Sequence, residues 1–500
     1  MNDAQHTYEA IILGAGFGGL GMGAQLKQAG IDNFLIIDRG DSVGGVWREN
    51  TYPGAACDTE AHLYCYSFFP HLRVSRMYAD REELLKYQQD LAENFGLAEQ
   101  LRLSTEVAEA RWDAKAALWN ITCGDGTIHS ARVFIPAWGQ LNSPSVPHLE
   151  GIQDFRGSAF HSARWDHDVQ LEGKKVISIG TAASAVQYVP EVAAVAGHLE
   201  VFQRSANWMM PRNQIIFSEE QLDAYANDPS LFNASRSELH AFRENGFERT
   251  RLASEAQQEG MRLALAHLAS QVPDESLRAA LTPEYEFGCK RILRSDDYYP
   301  ALMRENVNLV TEHVSHIEET GVRTADGVLH EADVIIFGTG FSSQAFHGDL
   351  RVIGASGETL SDRWSEGAEA YLGISVDGFP NMFLVYGPNT NLNHNSIITM
   401  LEIQQQYILQ VLDALRSSEG GSVEVRGRQL TEFNKNLQLE MQGSAFSSDC
   451  SSWYKNAAGK VINNWSGTVD EYRTLADSWR AEDYVLSGAP LQLNRTRVDV

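Results

Sequence analysis

The chain has little positive charge for its length. Of its 500 residues, 40 are Lys or Arg and 66 are Asp or Glu, which leaves a formal net charge of −26. Nucleic acids and anionic membranes both require a broad basic surface, and the sequence contains no Lys- or Arg-rich tract. We therefore expect neither a nucleic-acid partner nor a membrane partner.

Cysteines are few and scattered. Cys57, Cys65, Cys123, Cys289 and Cys450 form an odd set without a C-x-x-C pair. This spacing is typical neither of a disulfide framework nor of a zinc site, and the histidines that stand near acids lack metal-ligand spacing. We expect no disulfide framework, no metal and a location in the reducing cytoplasm.

The sequence also lacks a signal peptide, a membrane span and a serine nucleophile motif. Its apolar start has no basic leader, since Asp3 and Glu9 precede it. The uncharged stretch 378–401 is interrupted by Pro380 and Pro388, and no G-x-S-x-G occurs. These absences predict a soluble protein, and its length predicts two or three domains.

What the sequence does contain is a glycine turn between a strand pattern and a helix pattern. In "YEAIILGAGFGGLGMGAQLKQAG", Gly14, Gly16 and Gly19 satisfy G-x-G-x-x-G. Such a turn opens a helix whose free N–H groups bind a pyrophosphate. Asp38 ends the next strand pattern, where an acid can bind a ribose diol. The segment predicts a dinucleotide site, although spacing alone does not separate FAD from NAD.

A second turn of this kind lies in "KKVISIGTAASAVQ". It consists of Gly180, Thr181, Ala182, Ser184 and Ala185, and alanine replaces its middle glycine. If the backbone φ were positive there, the methyl group would cost about 1 kcal/mol. Such a cost weakens a nucleotide site without abolishing it.

The strand pattern after the second turn ends in a basic residue. Arg204 stands where the first turn has its acid, and Ser205 follows it. Carboxylates favour a free ribose hydroxyl, whereas a guanidinium favours a 2′-phosphate through charge-assisted hydrogen bonds. The second site is therefore predicted to bind NADP.

The stretch between the two turns carries a family resemblance. "FRGSAFHSARWD" is similar to F-x-G-x-x-x-H-x-x-x-W-[PD], the signature of type I Baeyer–Villiger monooxygenases, through Phe155, Gly157, His161, Trp165 and Asp166. In that family the motif couples the two nucleotide domains. The resemblance thus implies a structural and conformational role for His161.

Further segments resemble the same family. "GGVWRENTYPGAACD" is similar to a second signature and supplies Gly45, Trp47 and Asp58. The segment 378–396, which includes Asn391, looks like the second flavin-contacting segment.

The carboxyl-terminal "CSSWYKNAAGKVINNWSGTVDEY" also resembles the family. The resemblance implies that Trp453 and Tyr454 line the pocket or close over NADP. Plain packing of aromatic residues in the core is the equally weighted alternative.

The resemblance implies an α/β fold with two Rossmann-like dinucleotide-binding domains. The FAD domain comprises residues 1–147 and 376–500, and the NADP domain comprises 148–213 and 287–375. Residues 214–286, rich in helix formers with apolar residues three or four apart, form a helical insert in the NADP domain.

The implied activity is conversion of ketones to esters or lactones, with sulfides as further substrates. FAD would take hydride from NADPH and react with molecular oxygen, and the resulting flavin peroxide would attack the ketone. The family's Lys-Arg pair matches this chain at two positions: Arg291 would stabilise the peroxide and Lys290 would bind the 2′-phosphate. Asp58 would pair with Arg291 and hold its position.

Two alternatives remain open at this point. A flavin monooxygenase acting on nitrogen or sulfur has a shorter signature ending in Tyr or Phe, so Trp165 and Asp166 favour the Baeyer–Villiger family. A non-catalytic FAD-binding redox protein would follow if Ala182 prevented NADP binding. The substrate and the oligomeric state are not determined by the sequence.

Overall fold

The structure, a computed structural model, describes residues 6–342, 346–417 and 421–488. Within these residues the strands are β1 Thr7–Leu13, β2 Phe34–Ile37, β3 Leu101–Arg102, β4 Val107–Asp113, β5 Leu118–Cys123, β6 Ile128–Pro136, β7 Ser158–His161, β8 Lys175–Ile179, β9 His198–Phe202, β10 Met209–Met210, β11 Leu293–Arg294, β12 Val307–Val310, β13 Val314–Glu318, β14 Gly321–Thr324, β15 Leu329–Glu331, β16 Val334–Phe337, β17 Arg351–Ile353, β18 Ser422–Val425 and β19 Tyr484–Ser487.

The α-helices of the same residues are α1 Phe17–Gln28, α2 Val46–Glu49, α3 Arg81–Asn94, α4 Ala183–Val195, α5 Glu219–Asn227, α6 Pro229–Asn245, α7 Glu255–Gln271, α8 Glu275–Ala280, α9 Tyr298–Leu302, α10 Leu360–Arg363, α11 Ile397–Arg416, α12 Gly427–Met441 and α13 Val469–Ala476. Among them, none is both long enough and apolar enough to cross a bilayer.

The first sheet runs in the order β17-β4-β5-β6-β1-β2-β3. Its strands β6, β1, β2 and β3 are parallel neighbours, whereas β4, β5 and β6 form an antiparallel meander. All four residues of β2, "FLII", are buried because both faces of the sheet are covered there. The first glycine turn joins β1 to α1 at the carboxyl end of this sheet.

The second sheet is parallel throughout, in the order β12-β9-β8-β16-β7. The second glycine turn joins β8 to α4, and β9 pairs with β8 along its whole length. Both sheets contain neighbouring parallel strands and a glycine turn that leads into a helix, which confirms the predicted fold class of two Rossmann-like folds.

Between the two halves of the second fold, α5, α6, α7 and α8 occupy most of the predicted insert. The helix α6 lies against the first fold, where Arg236 donates to the carbonyls of His62 and Cys65 at 2.9 Å. The division into domains stays a prediction, and its terminal residues 1–5 and 489–500 lie outside the described residues.

One expectation from the cysteines is wrong. Cys289 and Cys450 form a disulfide, with their Cα atoms 6.5 Å apart. They are separated by 161 residues, so their spacing in the sequence carried no sign that the fold brings them together. Cys57, Cys65 and Cys123 are free and buried.

Candidate active site

The first glycine turn is closely packed by main-chain atoms. Gly14 has φ +113°, and a Cβ there would lie 2.5 Å from the carbonyl oxygen of Ala137. A Cβ on Gly19 would lie 1.8 Å from the oxygen of Gly14. Only glycine fits these two positions, as a turn that brings backbone close to a ligand requires.

Asp38 is buried at the end of β2 and faces this turn. Its Oδ2 accepts the Ala15 N–H at 2.7 Å, and its Oδ1 accepts the Gly40 N–H at 2.7 Å. Arg48 also donates to Oδ1, at 3.2 Å. Each carboxylate oxygen has two lone pairs, so Oδ2 keeps acceptor capacity for a ribose hydroxyl.

The second turn has the same backbone shape as the first. Gly180 has φ +110°, as Gly14 has φ +113°. Ala182 has φ −82° and ψ −165°, and its counterpart Gly16 has φ −89° and ψ −167°. Because φ is negative at Ala182, this residue lies outside the left-handed region, and the cost considered for a methyl group at positive φ does not arise.

The other residues of the second turn divide between the surface and the core. Ser184 lines a cavity described below, whereas Ala185 is fully buried. Asn207 donates to the carbonyl oxygen of Thr181 at 2.8 Å and fixes the turn from outside. Asn207 lies outside the turn motif, so the motif could not predict this contact.

A basic cluster stands beside the second turn. Lys290 Nζ donates to Ser205 Oγ at 2.9 Å and lies 4.4 Å from the ring centroid of Tyr285. Burial and the nearby charge of Arg204 lower the pKa of Lys290. Within the described part of the chain, neither Lys290 nor Arg204 forms an ion pair with a carboxylate. Two neighbouring unneutralised cations are arranged to accept an anion.

Next to this cluster, Arg291 forms a bidentate ion pair with Asp58. Its Nε donates to Oδ2 at 3.0 Å and its terminal nitrogen donates to Oδ1 at 2.6 Å. The Asp58 charge and its hydrogen bonds outweigh burial and raise the pKa of Arg291. Burial alone would raise the pKa of Asp58, but Arg291, together with Arg243 and Arg294, lowers it. The pair therefore stays charged at neutral pH.

A cavity of about 830 Å³ connects these features. Its wall includes the second turn from Gly180 to Ser184, the basic cluster and the Arg291–Asp58 pair. Apolar side chains complete the wall: Leu141, Pro147, Ile179, Phe202, Leu293 and Phe341. A single space thus holds a nucleotide-type turn and a fixed cation.

The segment that carries Asp58 also binds the second fold. Gln187 of α4 donates to the carbonyl of Ala56 at 2.9 Å, and its side-chain oxygen accepts the Tyr52 hydroxyl at 2.9 Å. A Cβ on Gly54 would lie 2.7 Å from the oxygen of Gln187. Trp47 of the same segment lines the cavity. The two folds are therefore in direct contact beside the site.

Gly45 closes the gap between this segment and the first turn. It has φ +53°, and a Cβ on it would lie 2.9 Å from the Cα of Gly16. The absence of side chains at both glycines allows the two main-chain segments to pack directly against each other at the start of α1.

The five signature residues lie in and on either side of β7, the edge strand of the second sheet. A Cβ on Gly157 would lie 2.2 Å from the oxygen of Asp333 and 2.6 Å from the Phe155 ring. His161 ends β7, accepts the N–H of Ala163 at 3.0 Å, and packs its ring 5.9 Å from that of Phe341. Phe341 lies in the connection that returns from β16.

Of the remaining two signature residues, Trp165 packs beside α4 and Asp166 lies on the surface. The Trp165 ring lies 5.5 Å from that of Tyr188. Asp166 is exposed and accepts the N–H of Asp168 at 3.0 Å. All five signature residues thus occupy structural positions, and the role predicted for His161 in domain coupling stays a prediction.

Three further candidates have different surroundings. Asn391 lines the cavity, but its amide is bonded to Tyr386 and Asn464, each at 2.8 Å. Trp453 also lines the cavity, whereas Tyr454 is fully buried and its hydroxyl donates to Asn393 at 2.5 Å. The structure thus places Trp453 at the pocket and Tyr454 in the core.

In the part of the chain that the structure describes, one group has metal-ligand proximity, namely His240, Glu244 and Asp470. Glu244 accepts the N–H groups of Val469 and Asp470 at the start of α13. Burial alone would raise the pKa of Glu244, but hydrogen bonds from His394 and from the Asp470 N–H lower this pKa to about 2. The carboxylate acts as a helix cap that ties α6 to α13.

Comparison with known proteins decides the family. Residues 11–224 match the model of the pyridine nucleotide-disulphide oxidoreductase family. The chain is 38% identical over 490 residues to a Baeyer–Villiger monooxygenase of Pseudomonas aeruginosa, a match that spans 98% of this chain and 93% of that protein. The chain belongs to the Baeyer–Villiger monooxygenases.

Solved structures of Baeyer–Villiger type agree with the whole fold. An oxidized steroid monooxygenase bound to NADP superposes with a TM-score of 0.85 at 28% identity, over 97% of this chain and 100% of that chain. The OTEMO complex with FAD and NADP has a TM-score of 0.86 at 26% identity and the same coverage.

Proposed function

We propose that this Baeyer–Villiger monooxygenase uses FAD and NADPH to insert oxygen into ketones, with Arg291 as the cation that promotes oxygen transfer. The supporting observation is the bidentate Arg291–Asp58 pair, which shares a cavity wall with the second nucleotide turn. A small-molecule substrate and molecular oxygen are its reactants. Among relatives, the OTEMO complex contains both FAD and NADP.

The first turn fits FAD. No side chain caps α1, so its first-turn N–H groups are available to a pyrophosphate. Gly16 and Gly45 carry no side chains that would obstruct a close approach of the cofactor to the turn. Asp38 retains an acceptor for the ribose.

The second turn fits NADPH. The helix α4 likewise starts without a side-chain cap, at Ala182. Arg204, Ser205 and Lys290 offer two cations and a hydroxyl, which suit the three oxygens of a 2′-phosphate. They favour NADPH over NADH, because NADH has no charge at that position.

The first turn and Asp38 would hold FAD, which would supply a hydride acceptor for NADPH and activated molecular oxygen for the substrate. Arg291 holds a positive charge at the cavity wall and stabilises the negative charge that develops on the oxygen during transfer. Asp58 fixes both donor nitrogens of the guanidinium, so Arg291 needs little reorganisation. The apolar side chains of the wall, such as Leu141, Leu293 and Phe341, would limit access of water, which competes with the ketone.

Ketones are the proposed principal substrates and sulfides the secondary ones. The cavity offers a fixed cation, and among the described residues its wall contains no nucleophile elbow or metal-ligand set for other chemistry. A cytoplasmic location stays a prediction, and one of its grounds, the expected absence of disulfides, does not hold for Cys289 and Cys450. The oligomeric state is left open.

The test uses the purified holoenzyme with NADPH, ¹⁸O₂ and a panel of aryl, cyclic and long linear ketones. We expect labelled ester or lactone from at least one ketone class. Sulfide or amine oxidation without any labelled ester would instead assign the protein to oxygen transfer onto soft nucleophiles. NADPH that fails to bleach the flavin absorbance would contradict monooxygenase activity altogether.

A further inference from the structure

A second buried ion pair, between Arg243 and Glu60, contacts the segment that carries Asp58. Arg243 of α6 donates its Nε to Oε2 of Glu60 at 2.7 Å, and its terminal nitrogen lies 2.7 Å from the same oxygen. The same arginine donates to the carbonyl oxygen of Asp58 at 3.2 Å. Glu60 is 4% exposed and Arg243 is 9% exposed.

This pair is connected to the Arg291–Asp58 pair through a small cavity. The cavity has a volume of about 60 Å³, and Asp58, Arg243, Arg291 and Arg294 line it. Asp58 and Arg291 line the large cavity as well. The charged pair of the proposed active site thus has the large cavity on one side and Arg243 on the other.

Stability alone does not account for a buried pair at this place. Desolvation of two buried charges consumes most of their attraction, and hydrophobic replacements are often as stable. An apolar residue in place of Arg243 could not donate a hydrogen bond to the carbonyl oxygen of Asp58. A side chain of the insert therefore fixes the main chain that carries the partner of Arg291.

We infer that Arg243 and Glu60 are positioning residues, through which helix α6 of the insert sets the orientation and charge of Asp58 and so of Arg291. This inference rests on the proposed function. It predicts that changes at Arg243 and Glu60 alter oxygen transfer while hydride transfer from NADPH continues.

The charges around Asp58 determine the direction in which a change at Arg243 or Glu60 should shift the pKa of Asp58. The charged or titratable groups that face Asp58 are Arg291, Arg243, Arg294, Cys57, Tyr52, Tyr64 and Tyr454, and Glu60 lies beyond Arg243, with which it is paired. Burial raises the pKa of Cys57 and of Tyr52 to about 12, and it raises the pKa of the other phenols as well, so these groups are neutral at working pH. The three arginines and Glu60 supply the nearby charge.

Removal of the Arg243 charge should raise the pKa of Asp58, because a cation that favours the carboxylate is lost. The Arg291–Asp58 pair would then be lost at a higher pH as the solution is acidified. Removal of the Glu60 charge should have the opposite effect, since a like charge disfavours the carboxylate. Two changes at one ion pair thus shift the acid limb in opposite directions.

The experiment measures labelled ester formed per NADPH consumed, against pH, for wild type, Arg243→Met, Arg243→Lys and Glu60→Gln. Arg236→Met is the matched control, because Arg236 lies on the same helix and also donates to main-chain carbonyls, but not to that of Asp58. Hydrogen–deuterium exchange of residues 57–61 adds a readout independent of activity.

For Arg243→Met we expect a fall of about tenfold or more in ester per NADPH, as misplaced catalytic groups cause. Flavin reduction should be near wild type, the acid limb should move to higher pH, and residues 57–61 should exchange faster. Glu60→Gln should move the acid limb to lower pH, and Arg243→Lys should restore its wild-type position. Arg236→Met should retain the wild-type ratio and profile.

Equal effects of Arg243→Met and Arg236→Met would overturn the inference, as would shifts of the same sign for Arg243→Met and Glu60→Gln. If Arg243→Met does not fold, Glu60→Gln decides by the direction of its pH shift, and an acid limb of Arg243→Lys that departs from the wild-type position would overturn the inference. Wild-type enzyme that forms no labelled ester would count against the proposed function, and the exchange of residues 57–61 would still decide the positioning role.

Discussion

At the scale of single residues, two cations decide which nicotinamide dinucleotide the second turn would accept. Arg204 and Lys290 lie together without a carboxylate partner in the described chain, and a charge-assisted contact is worth about 1.5–3 kcal/mol.

We predict that Lys290→Ala raises the KM for NADPH roughly 10- to 100-fold, because about 1.5–3 kcal/mol of phosphate binding is lost. The KM for NADH, which has no 2′-phosphate, should change little. Steady-state kinetics with both nucleotides measures the ratio, and Lys174→Ala, an exposed lysine outside the cavity wall, serves as the control. Equal losses with NADPH and NADH would show that Lys290 does not bind the phosphate.

A second residue-scale prediction concerns Ala182. Its φ of −82° means that glycine would relieve no strain there. We expect Ala182→Gly to change the Kd of NADPH by less than about fivefold, since glycine alters chain entropy by about 1 kcal/mol or less. Titration of the oxidised enzyme with NADPH or NADP measures this, and a large loss of affinity would show that the turn depends on the methyl group.

Some properties of these single residues could be predicted from the sequence, and others could not. The glycine turns are local patterns, so Gly14 and Gly180 could be predicted from their neighbours in the chain. The φ of Ala182 could not be predicted, because it depends on how the turn packs. Asp58 and Arg291 are 233 positions apart, so only the family resemblance could pair them.

At the scale of elements, the contacts that organise the site join segments distant in sequence. The disulfide connects the loop before Lys290 to the loop before Trp453. Each loop contributes residues to the cavity wall. The bond therefore limits how far these two parts of the wall can separate.

We predict that the purified, air-equilibrated protein, denatured without reductant, has three alkylatable thiols, from Cys57, Cys65 and Cys123. After reduction all 5 cysteines should react. Intact mass spectrometry after iodoacetamide treatment counts them, and peptide mapping identifies the bonded pair. Labelling of every cysteine before reduction would show that the Cys289–Cys450 bond does not form.

Element types were largely predictable because long periodic segments carry strong signals. The helices α6 and α7 lie inside the stretch that the apolar spacing marked as helical. The contacts of α6 with the Asp58 segment were not predictable. Arg243 and Glu60 resemble ordinary surface charges in the sequence, and only the folded chain buries them together.

At the scale of the whole molecule, the two dinucleotide folds meet at one large cavity, and the insert contacts Asp58 from a second, small cavity. The first fold contributes Asp58, the second contributes the turn at Ala182, and the loop before β11 contributes Arg291. Hydride transfer and oxygen transfer would thus depend on different residues of the same cavity. In the proposed function, the turns and the basic cluster bind the nucleotides, and the Arg291–Asp58 pair promotes oxygen transfer.

The most direct measurement of this division is single-turnover stopped-flow with Arg291→Ala holoenzyme, NADPH, ¹⁸O₂ and the best ketone. Arg251→Ala, a change at a half-exposed arginine of the insert, is the control. We predict flavin reduction within about threefold of wild type and a loss of labelled ester of roughly 100-fold or more, with hydrogen peroxide formed instead. Wild-type ester yield from Arg291→Ala, or loss of flavin reduction together with ester, would contradict the account.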